Sequence, residues 1–215
     1  MENSSNSITK KHIGTDESGK GDFFGPLVIA GVMTDEKSAQ YFLDLGIKDS
    51  KKLSDKKILT LAAEIKKTAP HSIIAISNSK YNELYANMKN LNRLLAWGHA
   101  RAIENILEHN ECEYALSDKF GDESLIKSAL MKNGRNIVLE QMCKAESDIA
   151  VAAASILARA AFVQKIQAME ETYGVKFQKG CSNLVKDGAK IFIEKYGKER
   201  LKEVCKAHFK TYNEV

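Results

Sequence analysis

Gly14-Thr15-Asp16-Glu17-Ser18-Gly19-Lys20-Gly21-Asp22-Phe23-Phe24-Gly25-Pro26 is the stretch that decides how the rest of the chain is read. Two adjacent carboxylates and a glycine-flanked lysine stand just before a long apolar run, Leu27 to Val32. A regular strand sends successive side chains to opposite faces. For Asp16 and Glu17 to serve one site, the strand must therefore end there, and Gly19 and Gly21 permit the sharp turn this needs. Backbone amides in such a turn can approach a polyanion closely, because no Cβ stands between. A solvated hairpin loop would account for an arbitrary Asp-Glu-Ser-Gly, but not for so many chemically specific turn residues together. Two other motifs fail. A P-loop needs Ser or Thr where Gly21 stands, and Asp16 and Glu17 would repel the phosphates inside it. An EF-hand starting at Asp16 would put Lys20 at a ligand position and Leu27 where the bidentate Glu belongs.

Working outward, Thr9 to Asp16 and Leu27 to Thr34 read as strands joined by the turn. Asp35 to Leu45 reads as a helix, followed by a polar loop from Gly46 to Lys52. Ser54 is a good N-cap, and Leu53 with Ile58 has hydrophobic-staple spacing. Ile58, Leu61, Ala62 and Ile65 mark the buried face of a helix that Pro70 stops. Ser72 to Ser77 is a short strand. Leu91, Leu95, Ala102, Ile103 and Ile106 place an amphipathic helix over Asn92 to His109. Tyr114 to Asp118 is a short buried strand ending on an acid, and Asn136 to Leu139 is another. Alanine-rich sequence from Glu146 to Glu171 has strong helix propensity, and Lys186 to Ala207 reads as two shorter helices broken at Gly197. Trp97 and Phe162 fall within helical patterns and are expected in the core. Strands first and crossovers later predict an α/β fold, a mixed β-sheet flanked by helices with a C-terminal helical region.

Nothing in the chain divides it: there is no internal repeat, linker or low-complexity block. Its 215 residues suit one domain with a sizeable core, taken as 1–215 with 1–8 as a flexible tail. A net charge of +4 permits a nucleic-acid partner without demanding one, so any basic binding surface must be local. The four cysteines are far apart and lack zinc spacing, which reads as reduced thiols in a cytoplasmic protein. No apolar run approaches the roughly 18 residues of a membrane span, and the N-terminus lacks a signal-peptide core.

The opening stretch resembles the first motif of the type 2 ribonucleases H, and most closely the ribonuclease HIII branch, which has Gly-Asp followed by aromatics. The ribonuclease HII branch has Gly-Arg-Gly and an apolar pair there. The resemblance continues in Lys48-Asp49-Ser50-Lys51-Lys52-Leu53, Asn90-Leu91-Asn92 with Leu95-Ala96-Trp97, and Ala152-Ala153-Ala154-Ser155. It ends with Lys179-Gly180-Cys181-Ser182 and His208-Phe209-Lys210, so it covers the chain from about Ile13 onward. It implies a ribonuclease H-like fold and an endoribonuclease that cuts the RNA strand of RNA–DNA hybrids, leaving 3′-hydroxyl and 5′-phosphate ends. Two magnesium or manganese ions are the implied cofactors, held by Asp16, Glu17 and Asp118. A fourth acid, Glu in the HIII branch, falls best on Glu146, with Asp148 a competitor two residues on.

Four carboxylates match what two hard divalent cations require, and without metal they repel each other and raise one or more pKa values. Taken alone, Asp118 also reads as a cap before Lys119, and Glu146 as a dipole partner of the helix after it. Gly19, Lys20 and Gly21 are the candidate contact to the 2′-hydroxyl and a phosphate. Ser50, Lys51 and Asn92 are further substrate candidates, Asn92 equally a helix cap. His99, His109 and His208 acquire no catalytic role from spacing. The expected partner is a hybrid duplex, with no membrane, no obligate protein partner and a monomeric state. Two other functions compete: a ribonuclease HII-like enzyme nicking at single embedded ribonucleotides, and a catalytically silent hybrid-binding protein. Against silence stand the acids themselves, since a binder has no use for clustered, repelling carboxylates. One departure from the HIII pattern concerns length: its usual N-terminal substrate-binding domain has no counterpart in the dozen or so residues before the motif.

Overall fold

The computed structural model describes residues 10–48, 50 and 53–215. The expected tail at 1–8 and the candidate Lys51 lie outside the described residues. Five strands form one mixed sheet in the order β3-β2-β1-β4-β5. They are β1 (His12–Ser18), β2 (Leu27–Thr34), β3 (His71–Ile76), β4 (Tyr114–Asp118) and β5 (Val138–Met142). The helices are α1 (Glu36–Asp44), α2 (Asp55–Thr68), α3 (Asn78–Met88), α4 (Leu91–Leu107), α5 (Glu123–Ala129), α6 (Ile149–Tyr173), α7 (Asn183–Tyr196) and α8 (Lys210–Glu214). The expected cap is in place, Ser54 accepting from Lys57 N at 3.3 Å, and Asp35 caps α1 by accepting from Ser38 N at 2.8 Å. Three helices were not anticipated, α3, α5 and α8.

The chain gathers into two compact units. The first holds residues through Glu17, Ile29–Ile74 and Asn92–Ala160. In it β1, β4 and β5 are parallel, with Ile13 beside Ala115, Gly14 beside Leu116 and Thr15 beside Ser117. Alternation along the strands sorts side chains between two layers. Ile13, Ala115 and Leu139 pack with Ala96, Ala100 and Ile103 of α4. Leu116 on the opposite face packs with Ala145 and with Val151 of α6. Gly14 shares that second face. A Cβ on it would lie 2.2 Å from Val151 N, so only glycine lets strand and helix backbones approach this closely.

The second unit holds Ser18–Val28, Ala75–Leu91 and Ala161–Val215. Its core is aromatic: Phe24 lies 4.8 Å from both Phe23 and Phe177, and Phe192 lies 5.2 Å from Tyr173 and 5.0 Å from Tyr196, between ring centroids. By length and hydropathy α6 could cross a membrane, but 78% of its most apolar stretch is buried inside the protein, which is where that apolar surface goes. Phe162 is buried as expected, whereas Trp97 is 38% exposed. The helical period explains the correction: Leu94, Leu95, Gly98, His99, Ala102 and Ile103 take the inward positions of α4, and Trp97 falls between them on the outer stripe.

Candidate active site

Strand β1 does not end at Asp16 but runs on to Ser18, so the two acids keep strand parity. Asp16 follows Gly14 towards α6, where the Ser155 hydroxyl donates to it, and its Oδ1 also accepts from Glu17 N at 2.8 Å. Glu17 follows Thr15 towards α4, where its Oε2 lies 3.3 Å from His99 Nε2. One register step past Thr15 and Ser117, Asp118 stands beside Asp16 at the carboxyl ends of two parallel strands. Parallel sheets open their ligand sites at those ends. Asp118 Oδ1 accepts from Ala145 N at 3.1 Å, which docks the 3-10 turn Ala145–Ser147 against β4 and sets Glu146 next to that amide. Lys144 enters the turn at φ 58°, a left-handed conformation that non-glycine residues adopt at a cost.

Burial pushes the Asp16 carboxyl up to about 7, and the charges of Glu17 and Asp118 push the same way against the Ser155 bond. Among the described residues, no three His, Cys, Asp or Glu side chains converge tightly enough to enclose a metal ion alone. Magnesium does not need such a cage: it binds through one or two carboxylates, waters and substrate phosphate. Hard oxygen donors repelling one another in a partly buried setting fit a divalent cation.

Asp148 is committed elsewhere. Its Oδ1 accepts from Ala150 N at 2.9 Å and Val151 N at 3.0 Å, capping α6, and its Oδ2 lies 2.9 Å from His12 Nε2. Ser50 is buried, with its hydroxyl 2.8 Å from that of Ser155. It therefore faces the interior rather than a surface a phosphate could reach, and Arg159 holds its loop through Ser50 O, Leu53 O at 2.9 Å and Asp55 at 3.0 Å. Asn92 lies in the first turn of α4, and a Cβ on Gly121 would come 3.1 Å from its Nδ2.

In the second unit, Gly19 turns the chain at φ 86°, and a Cβ there would meet Pro26 O at 2.2 Å. Gly21 is exposed with nothing within 4 Å of the same position, so the turn presents open backbone. Three bonds fix it from behind. Asp22 Oδ1 accepts from Gly180 N at 2.6 Å, and Lys206 Nζ donates to Asp22 O at 2.8 Å and Gly25 O at 2.6 Å. Burial lowers the Lys206 ammonium to about 7, and a neutral amine still has two N–H groups for those two carbonyls. His208 stacks on Tyr85 at 4.3 Å, and burial lowers its pKa. Sequence reading missed His12, Ser155 and Lys206 as partners of these groups. Ser155 carried a signal, as the one hydroxyl in an alanine run, and so did His99, a polar residue four positions from both Leu95 and Ile103 on a buried face.

The sequence profile of the ribonuclease HII family matches residues 13–212. The chain belongs to the type 2 ribonuclease H family. Within it the HIII branch is nearer: the chain is 46% identical over 204 residues to the ribonuclease HIII of Protochlamydia amoebophila, covering 95% of this chain and 68% of the relative. It is 45% identical to the ribonuclease HIII of Chlamydia felis, covering 96% and 70%. Bst-RNase HIII, solved in complex with Mn2+, superposes with a TM-score of 0.89 at 30% identity over 97% of this chain and 70% of that one. The ribonuclease H2 of Pyrococcus horikoshii OT3 shares the fold at a TM-score of 0.80 and 24% identity, over 95% and 96%. The chain is thus a ribonuclease H enzyme.

Proposed function

We propose that this enzyme hydrolyses the RNA strand of RNA–DNA hybrids, using two divalent ions and leaving 3′-hydroxyl and 5′-phosphate ends. The observation that carries the reading is the Asp16 carboxyl, raised to about 7 by burial and by the facing charges of Glu17 and Asp118. Neighbouring carboxylates that favour protonation are a standing preference for a cation. Asp16, Glu17 and Asp118 would hold the ions, with Glu146 as the fourth acid. When bound, the ions supply Lewis-acid stabilisation of the phosphodiester and an activated water for in-line attack. The Asp16 carboxyl, raised to about 7, is only partly ionised near neutral pH, and a bound cation would favour its ionised form. The Ser50–Ser155 hydroxyl pair fixes its orientation, and the Ala145 amide fixes that of Asp118.

Substrate charge points the same way. The second unit carries fourteen Lys and Arg against nine Asp and Glu, so the positive charge of the chain is concentrated there. Open backbone at Gly21 and the adjacent Lys20 supply the contact to 2′-hydroxyl and phosphate. All four cysteines are free thiols, which supports a cytoplasmic setting. The test is Asp118→Asn, which keeps the side-chain shape and removes a ligand charge. Turnover of a uniform hybrid at saturating Mg2+ should fall by more than the roughly 10–100-fold of an outer-shell loss. Near-normal turnover would refute the assignment.

A further inference from the structure

His99 is fully buried in α4, yet its ring reaches Glu17. Both ring nitrogens are engaged. Nε2 lies 3.3 Å from Glu17 Oε2, and Nδ1 lies 2.9 Å from Thr15 Oγ1 and 3.4 Å from Ser117 Oγ. Phe120 stacks on the ring at 4.7 Å between centroids and 23° between planes. Behind it, Gly98 leaves room for Ile29: a Cβ there would sit 2.6 Å from Ile29 Cδ1. The imidazole is thus held from β1, β4 and the segment after β4 at once.

The tautomer follows from the partners. A carboxylate accepts only, so the proton facing Glu17 belongs on Nε2. Ser117 Oγ spends its own proton on Asp118 O at 3.0 Å, which leaves the Thr15 hydroxyl to donate to Nδ1. Thr15, His99 and Glu17 then form one directed chain of hydrogen bonds. An imidazole that donates one N–H to a carboxylate while its other nitrogen is tied to a fixed hydroxyl is a device for orienting that carboxylate.

We propose that His99 is a positioning residue that fixes the Glu17 carboxylate for divalent-ion binding, anchored in turn by Thr15. This rests on the proposed function, since it takes Glu17 as a ligand of the ion. Strand parity gives the device its purpose. Asp16 is steadied from α6 through Ser155, and Asp118 from the turn at Ala145. Glu17 points to the other layer on a longer, more flexible side chain. Without a tether it would spend rotamer entropy each time an ion bound.

The test is Mn2+ affinity, followed by the electron paramagnetic resonance of free Mn2+ in the full chain without substrate. Wild type is compared with His99→Phe, which keeps the ring stack on Phe120 but has no N–H. It is also compared with His99→Gln, whose amide N–H replaces that of Nε2, and with Glu17→Gln. His99→Phe should bind Mn2+ about 10–100-fold more weakly, and His99→Gln should recover most of that loss. A role in packing alone would give the opposite order, since Phe fills the site better than Gln. Wild-type affinity in His99→Phe, with Glu17→Gln weakened, overturns the proposal and leaves the proposed function standing. Wild-type affinity in Glu17→Gln overturns the ligand assignment itself. Should His99→Phe not fold, Thr15→Val removes the anchor at Nδ1. It should also weaken Mn2+ binding, and unchanged affinity there counts against the proposal equally.

Discussion

Alanine at Gly14 would test the packing on which the acids depend. Gly14 lies two residues before Asp16 on the same face of β1. Its added Cβ would fall 2.2 Å from Val151 N, 2.3 Å from the Ala150 carbonyl carbon and 2.7 Å from the Ala150 oxygen. These are backbone atoms in the first turn of α6, so no rotamer change relieves the clash, and strand and helix must part by about 1 Å. Overpacking a tight interior costs about 1–3 kcal/mol, and an obstacle made of backbone argues for the upper end, about 3 kcal/mol. For chains of this length each kcal/mol moves the melting point by about 2–4 °C, giving a fall of about 6–12 °C. The assay is calorimetric melting of Gly14→Ala without divalent ions, beside Gly21→Ala, whose Cβ meets nothing within 4 Å and which should melt like wild type. Because the parting acts on the strand that bears Asp16, hybrid cleavage by Gly14→Ala should also fall by more than its loss of folded fraction accounts for. A melting point within about 1 °C of wild type would refute the close-packing argument.

Three further outcomes are expected. Glu146→Gln should cripple turnover with little change in stability. Asp148→Asn should do the reverse, losing about 1–3 kcal/mol as the His12 pair and part of the α6 cap go; the opposite pattern would make Asp148 the fourth acid. Asp16 has its carboxyl raised to about 7 from 3.8, so the folded state holds the extra proton between those values and metal-free stability falls as pH rises through that window. On the proposed function a bound Mg2+ would replace that proton, so its gain in melting temperature should be larger at about pH 8 than at about pH 6; equal gains would take Asp16 out of the ion's site. Finally, Lys179-Gly180-Cys181 resembles the C-terminal motif of the HII branch, where the resemblance implies a junction-reading tyrosine after Lys-Gly, and Cys181 is exposed beside the Gly180 that Asp22 holds. A continuous ribonucleotide tract should therefore be cut much faster than a single embedded ribonucleotide, and comparable rates would favour the HII-like reading.

Local rules made much of this protein legible in its sequence. Short apolar runs marked β2 at Leu27–Thr34 and β4 at Tyr114–Asp118 to the residue. Three- and four-residue spacing gave the buried face of α2, and Ser54 gave its cap. Those signals are set by neighbours within one turn or one pleat, so a single stretch of chain contains all of their causes. The concentration of Asp, Glu and Gly at 14–26 likewise marked the site by chemistry alone. What the sequence could not supply was the matching of distant stretches. That Asp118 stands beside Asp16 follows from the register of two parallel strands a hundred residues apart, and register is decided by which apolar faces meet α4 and α6. The same packing turned Ser50 inward onto Ser155, took Asp148 for His12 and the α6 cap, left Trp97 outside, and put a buried histidine against Glu17. A side chain's type limits what it can do, but its partner is chosen by the tertiary fold, because only burial against a particular neighbour decides which polar groups must satisfy one another.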